Sequence, residues 1–184
     1  MRERQLIPIE VAGSAISSAV RLLLEDPDIA EVFGWLRPEP DARQWSGAED
    51  TRLFAVAERG SGIIGLAALS DIRREERSAR LSCAVAAPYR LSGAGHWAAT
   101  EAIRRGVRLE DLRHVDAYVR EGHDTARRVL ESLGFRARQE GAPEGHLHLR
   151  LDLPNDSRGH FLMAPAAVPH RASYGRAASA ALSA

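Results

Sequence analysis

The stretch best suited to chemistry in this chain is Val85-Ala86-Ala87-Pro88-Tyr89-Arg90-Leu91-Ser92-Gly93-Ala94-Gly95. An alternating apolar segment ends at Val85, and Pro88, which lacks a ladder donor, forbids its continuation as a strand. Two glycines then precede a stripe of apolar residues at helical spacing. Glycine lets a ligand come close to the main chain. The first-turn amides of the helix have no partners of their own and carry the positive end of its dipole. A strand, loop and helix start of this composition make a cradle for a phosphate or diphosphate. Gly93-Ala94-Gly95-His96-Trp97-Ala98 also satisfies a G-x-G-x-x-A pattern, with Asp116 about twenty residues on, as a dinucleotide site requires. That fingerprint follows its strand directly, however, whereas Pro88 and Tyr89 intervene here. A P-loop is excluded because it needs Gly-Lys-Ser/Thr and the chain contains no lysine.

The elements that must hold this loop can be read from periodicity. Gln5–Val11 alternates as a half-buried strand, and Ser14 is placed to cap a helix through Ile16, Ala19, Val20 and Leu23. Asp26-Pro27 ends that helix, and a second runs over Asp28–Trp35. Residues 37–50, with two prolines and a glycine, read as loop. Arg52–Glu58, Ile63–Asp71 and Ala79–Ala86 form an antiparallel meander joined by Arg59-Gly60-Ser61-Gly62 and by the charged turn Arg73–Arg77. Leu81, Cys83 and Val85 share one face of the third strand. Gly95–Leu109 is a helix striped by Ala99, Ala102, Ile103, Gly106 and Val107. Arg113–Arg120 is a strand, and Thr125–Leu133 is a helix stopped by Gly134. Phe135–Gln139 and His146–Leu153 complete the sheet. The fold class is α+β: one domain over residues 1–153, then an Ala/Pro/Ser-rich tail over 154–184 whose composition favours flexibility.

Composition narrows the function. Lys+Arg and Asp+Glu are equal at 25 each, so the net charge is zero and the basic excess of a nucleic-acid binder is missing. No apolar run is long enough to cross a membrane, and Met1-Arg2-Glu3-Arg4 lacks the apolar core of a secretory signal, which points to the cytoplasm. A lone cysteine, Cys83, excludes an internal disulfide and a cysteine-based zinc site, so no metal is expected. All 25 basic residues are arginine, which together with the abundant alanine reads as the codon bias of a GC-rich bacterial genome.

Arg90-x-x-Gly93-x-Gly95 between a strand and a helix resembles the Gln/Arg-x-x-Gly-x-Gly/Ala signature of the GNAT superfamily of acyl-CoA-dependent N-acetyltransferases. Val119-Arg120-Glu121-Gly122-His123 through Leu130-Glu131-Ser132-Leu133-Gly134-Phe135 is similar to the second motif of that superfamily. Leu6-Ile7-Pro8-Ile9 echoes the opening of its RimJ/RimL-like branch of ribosomal-protein and N-terminal acetyltransferases, and the resemblance extends over Gln5–Leu153. It implies a mostly antiparallel mixed sheet flanked by helices. Amides of Leu91, Ser92, Gly93, Ala94 and Gly95 would hold the diphosphate of acetyl-CoA, with Arg90 part of the signature. The strand Cys83–Val85 would pair with the pantetheine arm as an added strand. An amide near Val85 would polarise the thioester carbonyl. His123, where the second motif normally begins with Asn, falls among the cofactor-binding positions.

The acid–base positions of the family are altered. Its Ala-Glu-[Ile/Leu]-Gly strand reads Ala79-Arg80-Leu81-Ser82 here, and its helix hydroxyls are replaced by Ala126 and Leu130. Candidates for proton transfer are then His123, a natural group near neutral pH; Tyr118, as donor to the leaving thiolate; and Glu58 and Asp71, at the ends of adjacent strands, acting through water. Each has a plain structural alternative: a helix-start histidine, a half-buried tyrosine, solvated carboxylates. Cys83 reads as a small buried hydrophobe and not as a covalent nucleophile. Trp35 and Trp45 either line the acceptor groove or cap the core. The expectation is a monomer or homodimer that moves acetyl from acetyl-CoA to a primary amine, on a protein or peptide N-terminus or on a small amine such as an antibiotic. Attack is direct, within a ternary complex. A catalytically degenerate acyl-CoA-binding module is the alternative, and a nicotinamide-dependent oxidoreductase comes third.

Overall fold

Period-two alternation in the sequence becomes seven strands and period-3.6 stripes become four helices in the computed structural model, which describes residues 3–9, 18–33, 49–139 and 141–154. In chain order these are β1 (Arg4–Ile9), α1 (Ser18–Leu23), α2 (Pro27–Phe33), β2 (Arg52–Glu58), β3 (Gly62–Arg73), β4 (Ser78–Val85), α3 (Ala94–Glu110), β5 (His114–Arg120), α4 (Asp124–Ser132), β6 (Arg136–Arg138) and β7 (His146–Asp152). A single 3₁₀ turn, Ala87–Tyr89, separates β4 from the glycine loop. The expected Ser14 cap, Ile16, Trp35, Trp45 and the tail beyond Pro154 lie outside the described residues.

The strands form one mixed sheet in the order β1-β2-β3-β4-β5-β7-β6, with every pairing antiparallel except β4 with β5. Two apolar clusters cover its faces. On one face α3 packs over β2–β5 through Ala98, Ala99, Ala102 and Ile103, against Phe54, Val56, Leu69, Leu81 and Val115. On the other, Val20, Leu24, Ile29 and Phe33 from α1 and α2 meet Leu53, Leu66 and Ala68. The α3 stripe is built of small residues, so the helix lies close to the sheet. A Cβ on Gly106 would stand only 2.6 Å from the methyls of both Leu69 and Leu112.

Two local devices set up the site. Pro27 is the first residue of α2 rather than the residue that ends α1, and Asp26 caps the new helix by accepting the Asp28 amide at 3.0 Å. The charged Arg73–Arg77 turn is solvent-exposed over residues 73–76 and anchored at its end by Arg77. The Arg77 carbonyl accepts amides of Arg113 (2.6 Å) and His114 (3.2 Å), and its guanidinium is paired with Asp111. This turn fixes the start of β4 beside the start of β5, the only parallel neighbours in the sheet.

Candidate active site

β4 and β5 stay together for three pairs only: Ser78 with His114, Ala79 with Val115, and Arg80 with Asp116. Beyond them β4 remains paired to β3 as far as Val85, and β5 remains paired to β7 as far as Arg120. The two strands therefore splay apart in the middle of the sheet. The direction of the opened edge follows from the ladder. Ala86 donates its amide to the Ile64 carbonyl at 2.9 Å, so Gly65 and Val85 form a pair without mutual hydrogen bonds. Two-residue alternation then turns the main-chain groups of Cys83 and Val85 away from β3 and into the splay. An extended chain lying in the opening would meet strand-type donors and acceptors there.

The glycine loop sits at the end of this edge. Gly93 caps α3 in the left-handed conformation (φ 77°), with no side chain closing the helix start. Leu91 is also left-handed at φ 56° and almost fully exposed at 91%, an uncommon state for a branched side chain. The first amides of a 17-residue helix are thus presented beyond a loop with two positive-φ residues, a geometry suited to anions.

Arg90, from the signature, ties the end of β4 to the α1–α2 junction. Its Nε donates to the Val85 carbonyl at 2.9 Å, its Nη2 donates to both Asp26 carboxylate oxygens at 3.0 Å, and its Nη1 lies 2.6 Å from Asp28. Asp26 also accepts the Ala87 amide at 3.3 Å. Burial alone would raise the Asp26 carboxyl, but the Ala87 and Asp28 amides and the Arg90 guanidinium outweigh it and hold the group below its ordinary value. The end of β4 is thereby bolted to the α1–α2 junction. Asp26 was read from sequence only as a helix stop; the Asp-Pro pair was the available signal of a capped start.

The remaining candidates fall in different places. Cys83 tucks its thiol beneath the first turn of α3, 3.8 Å from the Gly95 carbonyl, and burial pushes its pKa up to about 12. Thiolate is then scarce at neutral pH, which agrees with a packing role. Glu58 ends β2 at the same end of the sheet as the loop, but its buried carboxylate is neutralised by Arg4 at 3.0 Å and accepts from the Ser61 hydroxyl at 3.3 Å. Asp71 lies at the opposite end, left-handed at φ 50° in the β3–β4 turn region and ion-paired with Arg80. His123 caps α4, its Nδ1 accepting the Ala126 amide at 3.2 Å, the service an Asn side chain also performs. Tyr118 alone of the four acid–base candidates stands on β5 just past the last β4–β5 pair, facing away from α3. Its ring lies between the Arg80 guanidinium (5.6 Å) and the His148 ring (5.0 Å). His148, buried on β7 and absent from the sequence reading, bonds Asp116 at 2.6 Å, while Arg150 grips the same carboxylate at 2.7 and 2.9 Å. Single histidines in alternating strands carry no spacing signal; pairing across β5 and β7 is what assembles them.

A family model, Acetyltransferase (GNAT) domain, matches residues 15–136, two thirds of the chain. The chain belongs to the GNAT acetyltransferase family. The mixed, mostly antiparallel seven-stranded sheet with flanking helices is the GNAT fold. Among solved structures, the N-acetyltransferase PseH of Campylobacter jejuni is similar over 82% of this chain and 99% of its own at 17% identity, with a TM-score of 0.59. The Vibrio cholerae spermidine N-acetyltransferase in complex with CoA and spermine is similar over 81% of this chain and 95% of its own at 15% identity, with a TM-score of 0.61. No curated protein matches. Among the described residues no group of three or more His, Cys, Asp or Glu could hold a metal ion, and no helix is long and apolar enough to cross a membrane.

Proposed function

We propose that this GNAT protein is an acetyl-CoA-dependent N-acetyltransferase whose acceptor is a primary amine, on a small molecule or a peptide N-terminus. One observation carries the reading: the splay of β4 from β5 after Arg80 and Asp116, with the Cys83 and Val85 main chain turned into it and an uncapped helix start at its end. The residues suit acetyl-CoA part by part. Extended main chain suits the amides of the pantetheine arm, and the Leu91–Gly95 amides suit the diphosphate. The Val85 carbonyl is engaged by Arg90, so the strand end is held rigid while its amide faces the opening.

The acceptor enters from the face bearing Arg80, Tyr118 and His148, where α1 and α2 pack over β2–β4 and Glu31 of α2 pairs with Arg120 at the far end of β5 at 2.8 Å. The amine attacks the thioester carbonyl, the C–N bond forms and the C–S bond breaks. The Tyr118 hydroxyl supplies the proton taken up by the departing thiolate, and the proton lost from the amine nitrogen returns through water to the Tyr118 phenolate. No enzyme nucleophile is needed, consistent with a thiol at Cys83 held far from ionisation. Residues 1–153 act as the catalytic domain, with 154–184 a tail outside it. Dependence on acetyl-CoA suits a protein of the cytoplasm. The RimJ/RimL-like branch and its protein acceptors remain within this proposal.

A second reading, binding without turnover, draws on Arg80: the place where the RimJ/RimL-like strand usually carries an acid holds a guanidinium paired to Asp71. Two measurements decide. Thermal unfolding with acetyl-CoA reports binding, which at a hundredfold excess over Kd adds about 2.7 kcal/mol. Thiol release across a panel of polyamines, amino sugars, amino acids and peptides reports turnover. A shift plus release from any amine supports the enzyme; a shift without release supports the binding module; no shift overturns both.

A further inference from the structure

Ser92 lies between the two left-handed residues of the glycine loop, Leu91 at φ 56° and Gly93 at φ 77°. A loop in that conformation persists where its surroundings over-determine it. The grip on Ser92 comes from the first strand of the protein. Arg4 Nη2 donates to the Ser92 carbonyl at 3.2 Å and to its hydroxyl oxygen at 3.3 Å, across 88 residues of sequence. The Ser92 hydroxyl in turn donates to the Tyr89 carbonyl at 2.6 Å. The same guanidinium donates through Nε to Glu58 at 3.0 Å, where the Arg4 and Glu58 side chains are only 13% and 1% exposed. Arg4 therefore does two things at once. It locks the residue between two strained positions, and it cancels a buried negative charge next to a loop suited to anions.

We propose that Arg4 is the positioning residue of the diphosphate loop, setting affinity for the diphosphate end of an acyl-CoA donor and not for its thioester end. The inference rests on the functional reading above. It assigns the N-terminal strand a part in donor recognition that loop motifs alone do not contain. A neutral residue at position 4 would release Ser92 and take the Arg4 charge from the Glu58 carboxylate at the edge of an anion site, both of which weaken diphosphate binding. The main-chain edge at Cys83 and Val85, which suits the pantetheine arm, is set by β3 and Arg90 and would be untouched.

The test compares two donors, acetyl-CoA and S-acetylpantetheine, which shares the thioester and arm but lacks the diphosphate. Arg4→Gln takes an arginine from a buried carboxylate and risks misfolding, so Arg4→Gln/Glu58→Gln is measured beside it, removing both charges together. The expected result in the double variant, measured against Glu58→Gln alone, is a loss of at least tenfold in acetyl-CoA affinity and kcat/KM, with kcat/KM for S-acetylpantetheine within twofold of that single variant. Arg4→Lys, which keeps the charge but not the fork, should fall between. An acetyl-CoA affinity within twofold of that single variant overturns the inference, as does an equal loss with both donors, the mark of a purely structural residue. Failure of the parent protein to bind acetyl-CoA overturns the functional reading and this one together; a parent that binds, with variants that bind as tightly, overturns this one alone.

Discussion

Gly65→Ala tests whether β3 sets the geometry of the splay. Gly65 pairs with Val85, and a Cβ there would stand 2.5 Å from the Ala84 carbonyl oxygen and 3.0 Å from Val85 Cα. Both atoms are backbone, so no side chain can rotate away, and β4 must retreat by about 0.5–1 Å to restore van der Waals contact. Overpacking of this sort costs about 1–3 kcal/mol. At about 2–4 °C per kcal/mol for a domain of this size, the unfolding midpoint should fall by about 2–12 °C. The displaced segment is the edge that faces the splay, and misplacement near 1 Å at a reacting centre costs about a hundredfold in rate. Gly106→Ala is the matched control. Its Cβ would meet Leu69 and Leu112 methyls at 2.6 Å, flexible ends far from β4's opened edge, and the helix gains propensity from alanine. Differential scanning fluorimetry and acetyl-CoA titrations of thiol release should therefore separate the pair. Both variants lose stability, Gly106→Ala the less, but only Gly65→Ala loses about a hundredfold in kcat/KM. If Gly65→Ala melts early and turns over within threefold of the parent, the β3–β4 register does not set the site and the reasoning fails.

Other outcomes follow from single groups. Tyr118→Phe should lower kcat by about ten- to a hundredfold with KM for acetyl-CoA unchanged, since a proton donor acts in the chemical step; a change in KM alone would contradict the role. Cys83→Ala should keep turnover within a few-fold, and iodoacetamide at pH 8 should leave the parent active. Because the folded thiol sits near 12 against an ordinary 9.0, the folded state holds its proton longer than the unfolded chain, so stability declines as pH rises above about 9. Cys83→Ala should flatten that slope in urea melts between pH 8 and 11. Asp116 is pushed up by burial but pulled further down by Arg150 and His148, leaving its carboxyl below the ordinary value. Its contribution is then present above the unfolded-state carboxyl range and is lost as pH falls through the folded value. Asp116→Asn should unfold more easily at pH 7 and show a shallower acid limb than the parent.

Much of the architecture was legible locally. β2 was read residue for residue over Arg52–Glu58, and α3 and α4 to within one residue at each end, because alternation, apolar stripes and Gly134 are short-range signals. The loop was legible too, since proline after a strand and glycines before a helix mean the same thing wherever they lie. The apolar row of α4 is only partly covered: Leu130 is buried, whereas Ala126, Val129 and Leu133 are half-buried.

Long-range placement was decided by the tertiary structure. Sequence spacing offered Glu58 and Asp71 as equivalent strand-end carboxylates. Antiparallel pairing sent them to opposite ends of the sheet and gave each an arginine, Arg4 and Arg80. Arg90 was legible as part of a signature, but its turn toward Val85 and Asp26 depends on the α1–α2 junction packing against β4. His148 and Asp116 meet because β7 inserts between β5 and β6, an order that hydrophobic pattern does not encode. A chain's own periodicity determines which segments become strands, helices and loops, because those signals are carried by residues a few positions apart. Which side chains share a site is settled only when segments far apart in sequence pack together, as Arg4 and Ser92, 88 residues apart, do here.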